Sequence, residues 1–291
     1  MICTLCPRMC RAERTETAGA GFCGMPSAPV LARAALHMWE EPCISGAYGA
    51  GTVFFSGCPL RCVYCQNSVI SQENFGRPVT PERLREIFFE LIDQGAVCID
   101  LVNPTHFTHI LRQALKEPLP VPVVWNSGGY ERVETLRSLE GLVDVYLPDL
   151  KYPDAQGAGQ YSAAPDYPEV AQAAIREMVR QTGPAQINED GVMTRGVLIR
   201  HLILPGRTAQ AKAVMDWVAE SFPPETVLFS LMSQYTPFAR AGEFPEIDRH
   251  LRAAEIRSAT EYMENLGLCG YAQDASAATR AYIPAFDLQG I

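Results

Sequence analysis

From about residue 51 onward, short apolar runs alternate with longer stretches whose apolar positions recur at helical spacing. Thr52–Ser56 reads Thr-Val-Phe-Phe-Ser and predicts a strand ending at Gly57. Thr80–Gly95 predicts a helix. Thr80 can cap it, Pro81 suits its first turn, Leu84, Ile87, Phe88, Leu91 and Ile92 share one face, and Gly95 stops it. The alternation continues with strands over Val97–Val102, Val121–Trp125, Val143–Leu147, Gly196–Leu204 and Val227–Met232. Between and after them, helices are predicted over Phe107–Leu115, Glu131–Leu139, Glu169–Val179, Thr208–Ser221 and Ile247–Leu266. Asp190-Gly191 predicts a hairpin turn before the fifth strand. Six strand–helix units of this size predict a parallel α/β sheet, either doubly wound or curved as a barrel. Pro153–Pro168 lacks either period and reads as a long irregular loop, a lid over a site or a solvated insertion.

Parallel α/β folds carry their chemistry at the carboxyl ends of the strands. Those positions here are Gly57-Cys58, Asn103-Pro104-Thr105-His106, Asn126-Ser127, Asp149-Leu150-Lys151, Pro205-Gly206-Arg207 and Ser233-Gln234-Tyr235, with Arg200 and His201 inside the fifth strand. Polar and ionisable groups are concentrated there, although ordinary turns also carry such residues.

The first 65 residues differ in kind. They hold eight of the ten cysteines, at positions 3, 6, 10, 23, 43, 58, 62 and 65. The chain accordingly divides into a Cys-rich segment, 1–50, and a regular α/β unit, 51–291. At 291 residues and 47% hydrophobic content it can bury a substantial core, which excludes a disordered chain. A formal net charge of −9 disfavours a general nucleic-acid binder. The N-terminus lacks the apolar core of a secretory signal, and no run of about 18 apolar residues predicts a membrane span. A reducing cytoplasm is the expected compartment, where disulfides are rare and thiolates serve metals.

Two cysteine groups have ligand-like spacing. Cys58-x3-Cys62-x2-Cys65 follows the first strand directly, and three thiolates on one loop can hold three corners of an iron–sulfur cube. A structural zinc site would require a fourth ligand. Cys3-x2-Cys6-x3-Cys10-x12-Cys23 offers four thiolates, which suit a structural zinc or a second [4Fe-4S] cluster equally well. Cys43 could extend either site, Cys98 reads as core, and Cys269 has no assigned partner. His106 and His109 have a metal-compatible spacing but no third ligand nearby.

Gly57-Cys58-Pro59-Leu60-Arg61-Cys62-Val63-Tyr64-Cys65-Gln66-Asn67 resembles the cluster motif of radical S-adenosylmethionine (SAM) enzymes. The wider chain resembles the group related to the pyruvate formate-lyase activating enzyme, the activases of glycyl-radical enzymes. That likeness rests on Glu41–Gly46, Thr52–Cys58, His201–Gly206 and Ser230–Pro237. The resemblance implies a partial (β/α)6 barrel with an N-terminal Cys-rich metal-binding segment. It implies a [4Fe-4S] cluster on Cys58, Cys62 and Cys65, with SAM on the open iron and cleaved reductively to a 5′-deoxyadenosyl radical.

By the same resemblance Tyr64 packs near the adenine, Asn103 and Thr105 meet the SAM amino end, and Asn126 and Ser127 meet the ribose or carboxylate. Asp149 and Lys151 resemble the activases' Asp-x-Lys, Arg200 or His201 meets the carboxylate or ribose, and Gln234 and Tyr235 face substrate. The Gly-Gly-Glu form common at the end of the second strand is absent here. Implied partners are SAM, a reductant such as flavodoxin or ferredoxin, and a protein or peptide substrate, with a small molecule or RNA as the alternative. A non-enzymatic iron–sulfur or zinc protein is the competing class.

Overall fold

A computed structural model describes residues 1–273 and 284–291. The chain enters the sheet with β1 (Val30–His37), a short α1 (Pro42–Ser45) and β2 (Ala50–Phe55). After α2 (Ser68–Ser71) and β3 (Arg77–Pro78) come α3 (Pro81–Asp93), β4 (Ile99–Val102), α4 (Thr108–Ala114), β5 (Val123–Ser127) and α5 (Val133–Arg137). The second half runs β6 (Val145–Pro148), α6 (Ala155–Ser162), α7 (Tyr167–Thr182), β7 (Gln186–Ile187), β8 (Met193–Leu202) and α8 (Thr208–Ser221). It ends with β9 (Leu228–Met232), α9 (Ala253–Leu266) and β10 (Gly270–Ala272).

One sheet has the order β10-β9-β8-β6-β5-β4-β2-β1-β3, with β7 paired to β8. Six strands, β2, β4, β5, β6, β8 and β9, run parallel, each followed by helix, as the alternating pattern requires. β10 adds a short parallel edge, while β1 pairs antiparallel with β2 and β3. This is an open, partial α/β barrel.

Alternation along the strands sorts two faces. Val53, Phe55, Leu101, Trp125, Tyr146, Ile199 and Phe229 join the main core with the buried faces of α3, α7 and α8. The other face encloses a second apolar cluster near the strand beginnings, where Ala50, Cys98, Val124, Val145 and Leu198 surround Cys43 and Ile44 of α1. Above it lie Thr52, Asp100, Asn126, Arg200 and Ser230. α1 is thus a plug at the amino end, and the carboxyl end is left to polar groups.

Three sequence expectations change. The stretch Pro153–Pro168 is not irregular: α6 fills it, capped by Asp154 Oδ1 accepting from Gly157 N at 2.8 Å. Its glycines and alanines give too little apolar contrast to show a period. The last long helix starts at Ala253 rather than Ile247. Glu255 accepts from Arg252 N at 2.8 Å and pairs with Arg249 at 2.8 Å, which fixes the start there. β1 lies within the 1–50 segment and was not predicted, because its Val-Leu-Ala-Arg-Ala-Ala-Leu-His is poor in β-branched residues. Among the described residues no helix is long and apolar enough to cross a membrane.

Candidate functional site

A cavity of about 240 Å³ opens at the carboxyl end of the barrel. Cys58, Cys62, Tyr64 and Cys65 form one side, and Asn103, Asn126, Ser127, Asp149, Lys151, Arg200, Gln234 and Tyr235 also line it. Twelve of the fourteen positions predicted for the barrel site are therefore gathered around one space. Thr105 and His201 are not among them. Thr105 is buried, its hydroxyl donating to Glu131 Oε1 at 2.6 Å. His201 is buried with Nδ1 2.7 Å from Leu150 O, and burial pushes its imidazole down to about 4. Both support neighbours of the cavity: strand alternation turns His201 away from it, and Thr105, in a short helical turn after β4, is held by Glu131.

The cysteine loop is anchored at each end. Gly57 has φ +76°, and a Cβ there would stand 2.3 Å from Met25 Cγ and 3.1 Å from Cys23 O. Only glycine passes that point unstrained. Asn103, itself at φ +59°, donates from Nδ2 to Gly57 O. Ser162 Oγ donates to Cys62 Sγ at 2.9 Å and lies 2.6 Å from Tyr152 OH, which is 2.7 Å from Tyr64 OH. Cys65 Sγ is 3.3 Å from Ser71 Oγ.

Burial raises the Cys58 and Cys65 thiols, and Cys62 raises both further. Cys58 and Cys65 therefore both feel the thiol between them in sequence. That donor set fits a cluster: soft sulfur on one loop facing one cavity, with mutual repulsion that a bound cation relieves. Among the described residues no three His, Cys, Asp or Glu side chains stand in finished metal-holding geometry.

Opposite the loop lies a charge network. Lys151 Nζ bonds Asp149 Oδ2. Arg200 donates from Nε to Asp149 Oδ1 at 3.0 Å, from Nη2 to Asn126 Oδ1 at 2.6 Å and from Nη1 to Glu40 Oε2 at 3.2 Å. Burial pushes the Asp149 carboxyl up, but Lys151 and Arg200 outweigh it and hold it below the ordinary value. Burial also opposes the Lys151 charge, and Asp149 overcomes it. Two half-buried cations lining a cavity that also holds the thiols suit a carboxylate-bearing ligand.

The N-terminal segment packs beside this site. Arg8 donates to Pro59 O at 2.8 Å and to Ala163 O at 2.6 Å, while Arg132 and Thr135 bond Thr4 O and Leu5 O. Arg14, 1% exposed, donates to His106 O at 2.6 Å. Cys3 and Cys6 are buried, Cys23 is half-buried and Cys10 is exposed. Burial pushes the Cys6 thiol up to about 12, and Cys23, Cys3 and Cys10 each add to the rise.

The remaining candidates resolve separately. Cys43 lies in the plug, and Cys98 Sγ donates to Ile44 O at 3.4 Å, so both belong to the floor. Cys269 is exposed. His106 and His109 face the separate carbonyls of Ser56 and Ser27, and burial holds both neutral. Sequence reasoning did not single out Glu40, Glu41, Asp100 or Glu131 for the site. Glu40 and Glu41 precede Pro42 in a stretch with no period; the available signals were their adjacency and the place of Glu41 at the start of the Glu41–Gly46 stretch.

Residues 45–147, which include the three loop cysteines, match the family described as 4Fe-4S single cluster domain. The chain is 29% identical over 278 residues to Uncharacterized protein MJ0674 of Methanocaldococcus jannaschii, covering 91% of this chain and 75% of that one. A radical SAM methyltransferase from Sphaerobacter thermophilus superposes with a TM-score of 0.50 at 14% identity, covering 77% of this chain and 66% of that one. Streptococcus suis SuiB bound to S-adenosylmethionine superposes with a TM-score of 0.50 at 13% identity, covering 77% of this chain. This chain spans about half the length of SuiB, 50%. The fold is the partial barrel that radical SAM enzymes use.

Proposed function

We propose that this protein is a radical SAM enzyme. The observation that carries the reading is the Cys58-x3-Cys62-x2-Cys65 loop, placed at the carboxyl end of a barrel of that fold and facing a cavity that Lys151 and Arg200 also line, both half-buried. Cys58, Cys62 and Cys65 would hold a [4Fe-4S] cluster with one iron left for SAM. Bound there, cluster and SAM would supply one-electron chemistry able to remove a hydrogen atom from a substrate.

The chain's own residues supply the rest. Lys151 and Arg200 present positive charge for the SAM carboxylate, and Asp149 orients both cations. Tyr64, held by the Tyr152–Ser162 chain, gives an apolar ring for the adenine, and its phenol stays neutral because burial raises it far above the ordinary value. Asn103, Asn126 and Ser127 present short polar side chains to the amino end and ribose. Gln234 and Tyr235 line the wall where substrate enters. The α1 plug and the apolar cluster around it keep water from the barrel floor.

In the finer reading the substrate is a glycyl-radical enzyme or another protein or peptide, and a flavodoxin- or ferredoxin-type reductant supplies the electron. Cys3, Cys6, Cys10 and Cys23 hold a second metal, a zinc or a [4Fe-4S] cluster. Their mutual electrostatic coupling supports this, as does the Cys23 carbonyl packed against Gly57.

Anaerobic reconstitution, dithionite and SAM should release 5′-deoxyadenosine, and SAM should alter the electron paramagnetic resonance signal of the reduced cluster. A fully loaded cluster that neither responds to SAM nor cleaves it refutes the enzyme reading. Counting iron and zinc in the same sample, against a Cys6→Ser/Cys23→Ser variant, decides the second site. A metal content unchanged by that variant removes it.

A further inference from the structure

Next to the main cavity, and sharing Glu40, Gln66, Arg200 and Gln234 with it, lies a recess of about 80 Å³. Glu41 and Gln273 complete its polar wall. None of the three loop cysteines lines it.

The carboxyl groups here outnumber the cations. Arg200 faces Glu40 at 3.2 Å, Glu41 at 3.9 Å and Asp149 at 3.0 Å. Asp100 is fully buried within the same field. Lys151 is the second cation, and it is taken by Asp149. Four carboxyl groups thus share two cations. All the Arg200 nitrogens are engaged, with Asp149, Asn126 and Glu40.

Glu41 is 7% exposed, and its Oε2 has no hydrogen-bond partner. Ser230 is close enough to favour the charged form of Glu41, although its hydroxyl is itself without a hydrogen-bond partner. Gln273 Oε1, on the same wall, is unpartnered too. Glu41 Oε2 and Gln273 Oε1 are both acceptors. A buried carboxyl whose nearest counter-charge stands 3.9 Å away, and is shared with Glu40 and Asp149, is costly, and a group that brings positive charge and several N–H donors relieves it.

We propose that the recess binds the ammonium or guanidinium group of the substrate between Glu40 and Glu41, with the rest of the substrate extending into the cavity beside the Cys58–Cys65 loop. Its role in catalysis rests on the radical SAM reading; the binding of a cation does not. The occupant is not the ammonium of SAM, which must reach the cluster. The cation could be a peptide Lys or Arg side chain or a free amine, and the chemistry of recognition is shared.

Calorimetric titration of the full chain separates these sources. The probes are 1,4-diaminobutane, the tripeptide acetyl-Ala-Lys-Ala-amide, their uncharged counterparts 1,4-butanediol and acetyl-Ala-norleucine-Ala-amide, and MgCl2. At least one cationic probe should saturate the protein below about 10 mM, the uncharged ones should not, and Glu41→Gln should weaken binding by about tenfold or more. Tighter binding of the diamine assigns a small-molecule amine, and tighter binding of the tripeptide assigns a peptide. Glu40→Gln is the second variant, which decides the matter if Glu41→Gln does not fold.

Saturation by neither cation overturns the proposal. So does binding that both Gln variants leave unchanged, or Mg²⁺ binding that the variants abolish while the amines fail. 5′-Deoxyadenosine release is measured on the same preparations. Cation binding without SAM cleavage refutes the enzyme reading alone, and SAM cleavage without cation binding refutes the recess alone.

Discussion

Glu131 should make the protein less stable as pH rises through neutrality. Its carboxyl is 1% exposed; Oε1 accepts from Thr105 Oγ1 at 2.6 Å and from Trp125 Nε1 at 3.3 Å, and Oε2 is unpartnered. Burial pushes this carboxyl up from 4.5 to about 7, and the bonds from Thr105 and Trp125 only partly resist. The folded state therefore holds a proton that the unfolded state releases between those values. Stability is unaffected below 4.5, declines as pH rises from 4.5 to about 7, and carries the full cost above it. At about 1.4 kcal/mol per pH unit, the cost amounts to about 3 kcal/mol. Glu131→Gln retains the accepting oxygen and cannot ionise. Urea unfolding of both proteins at pH 5, 6, 7 and 8 should show a small difference at pH 5 that grows in favour of the variant to about 3 kcal/mol at pH 8. A difference that stays flat over this range, or that favours the wild type at pH 8, would refute the assignment of a protonated carboxyl under the Ser127 strand end.

Gly57→Ala should cost about 2 kcal/mol or more and lower iron loading, since its methyl would strike Met25 at a positive φ; thermal melting and iron analysis test both, and a normal melt would show the turn to be unstrained. Lys151→Met should weaken SAM binding by about tenfold or more, measured by equilibrium dialysis on the cluster-loaded protein, because it removes one of the two half-buried cations that line the cavity; unchanged affinity would remove Lys151 from the carboxylate site. Arg8→Ala frees the Pro59 and Ala163 carbonyls and should shorten the lifetime of the cluster in air while leaving secondary structure intact; absorbance decay of the cluster is the readout, and an unchanged lifetime would show that the N-terminal segment does not brace the loop.

The parts legible in the sequence were those with a strong period or a strong spacing. α3 announced itself through Thr80, Pro81 and one apolar face, and the structure places it at Pro81–Asp93 with Thr80 accepting from Arg83 N. The cysteine loop was legible because three soft ligands at such spacing have few other uses. What failed were features set by tertiary neighbours. Thr105 follows the correct strand, yet a Glu131 carboxylate claims its hydroxyl. His201 sits one position after Arg200, and the two-residue period of a strand turns one into the cavity and the other away. Glu40 and Glu41 reach the site from a connection outside the six strand–helix units, and no local pattern marks that.

The α1 plug has a consequence for traffic. With Cys43 and Ile44 closing the amino end among packed aliphatic side chains, the barrel is a cup and not a tube. Substrate, spent fragments of SAM and product must then share the rim and pass it in sequence, and a macromolecular substrate can offer only a loop or a tail.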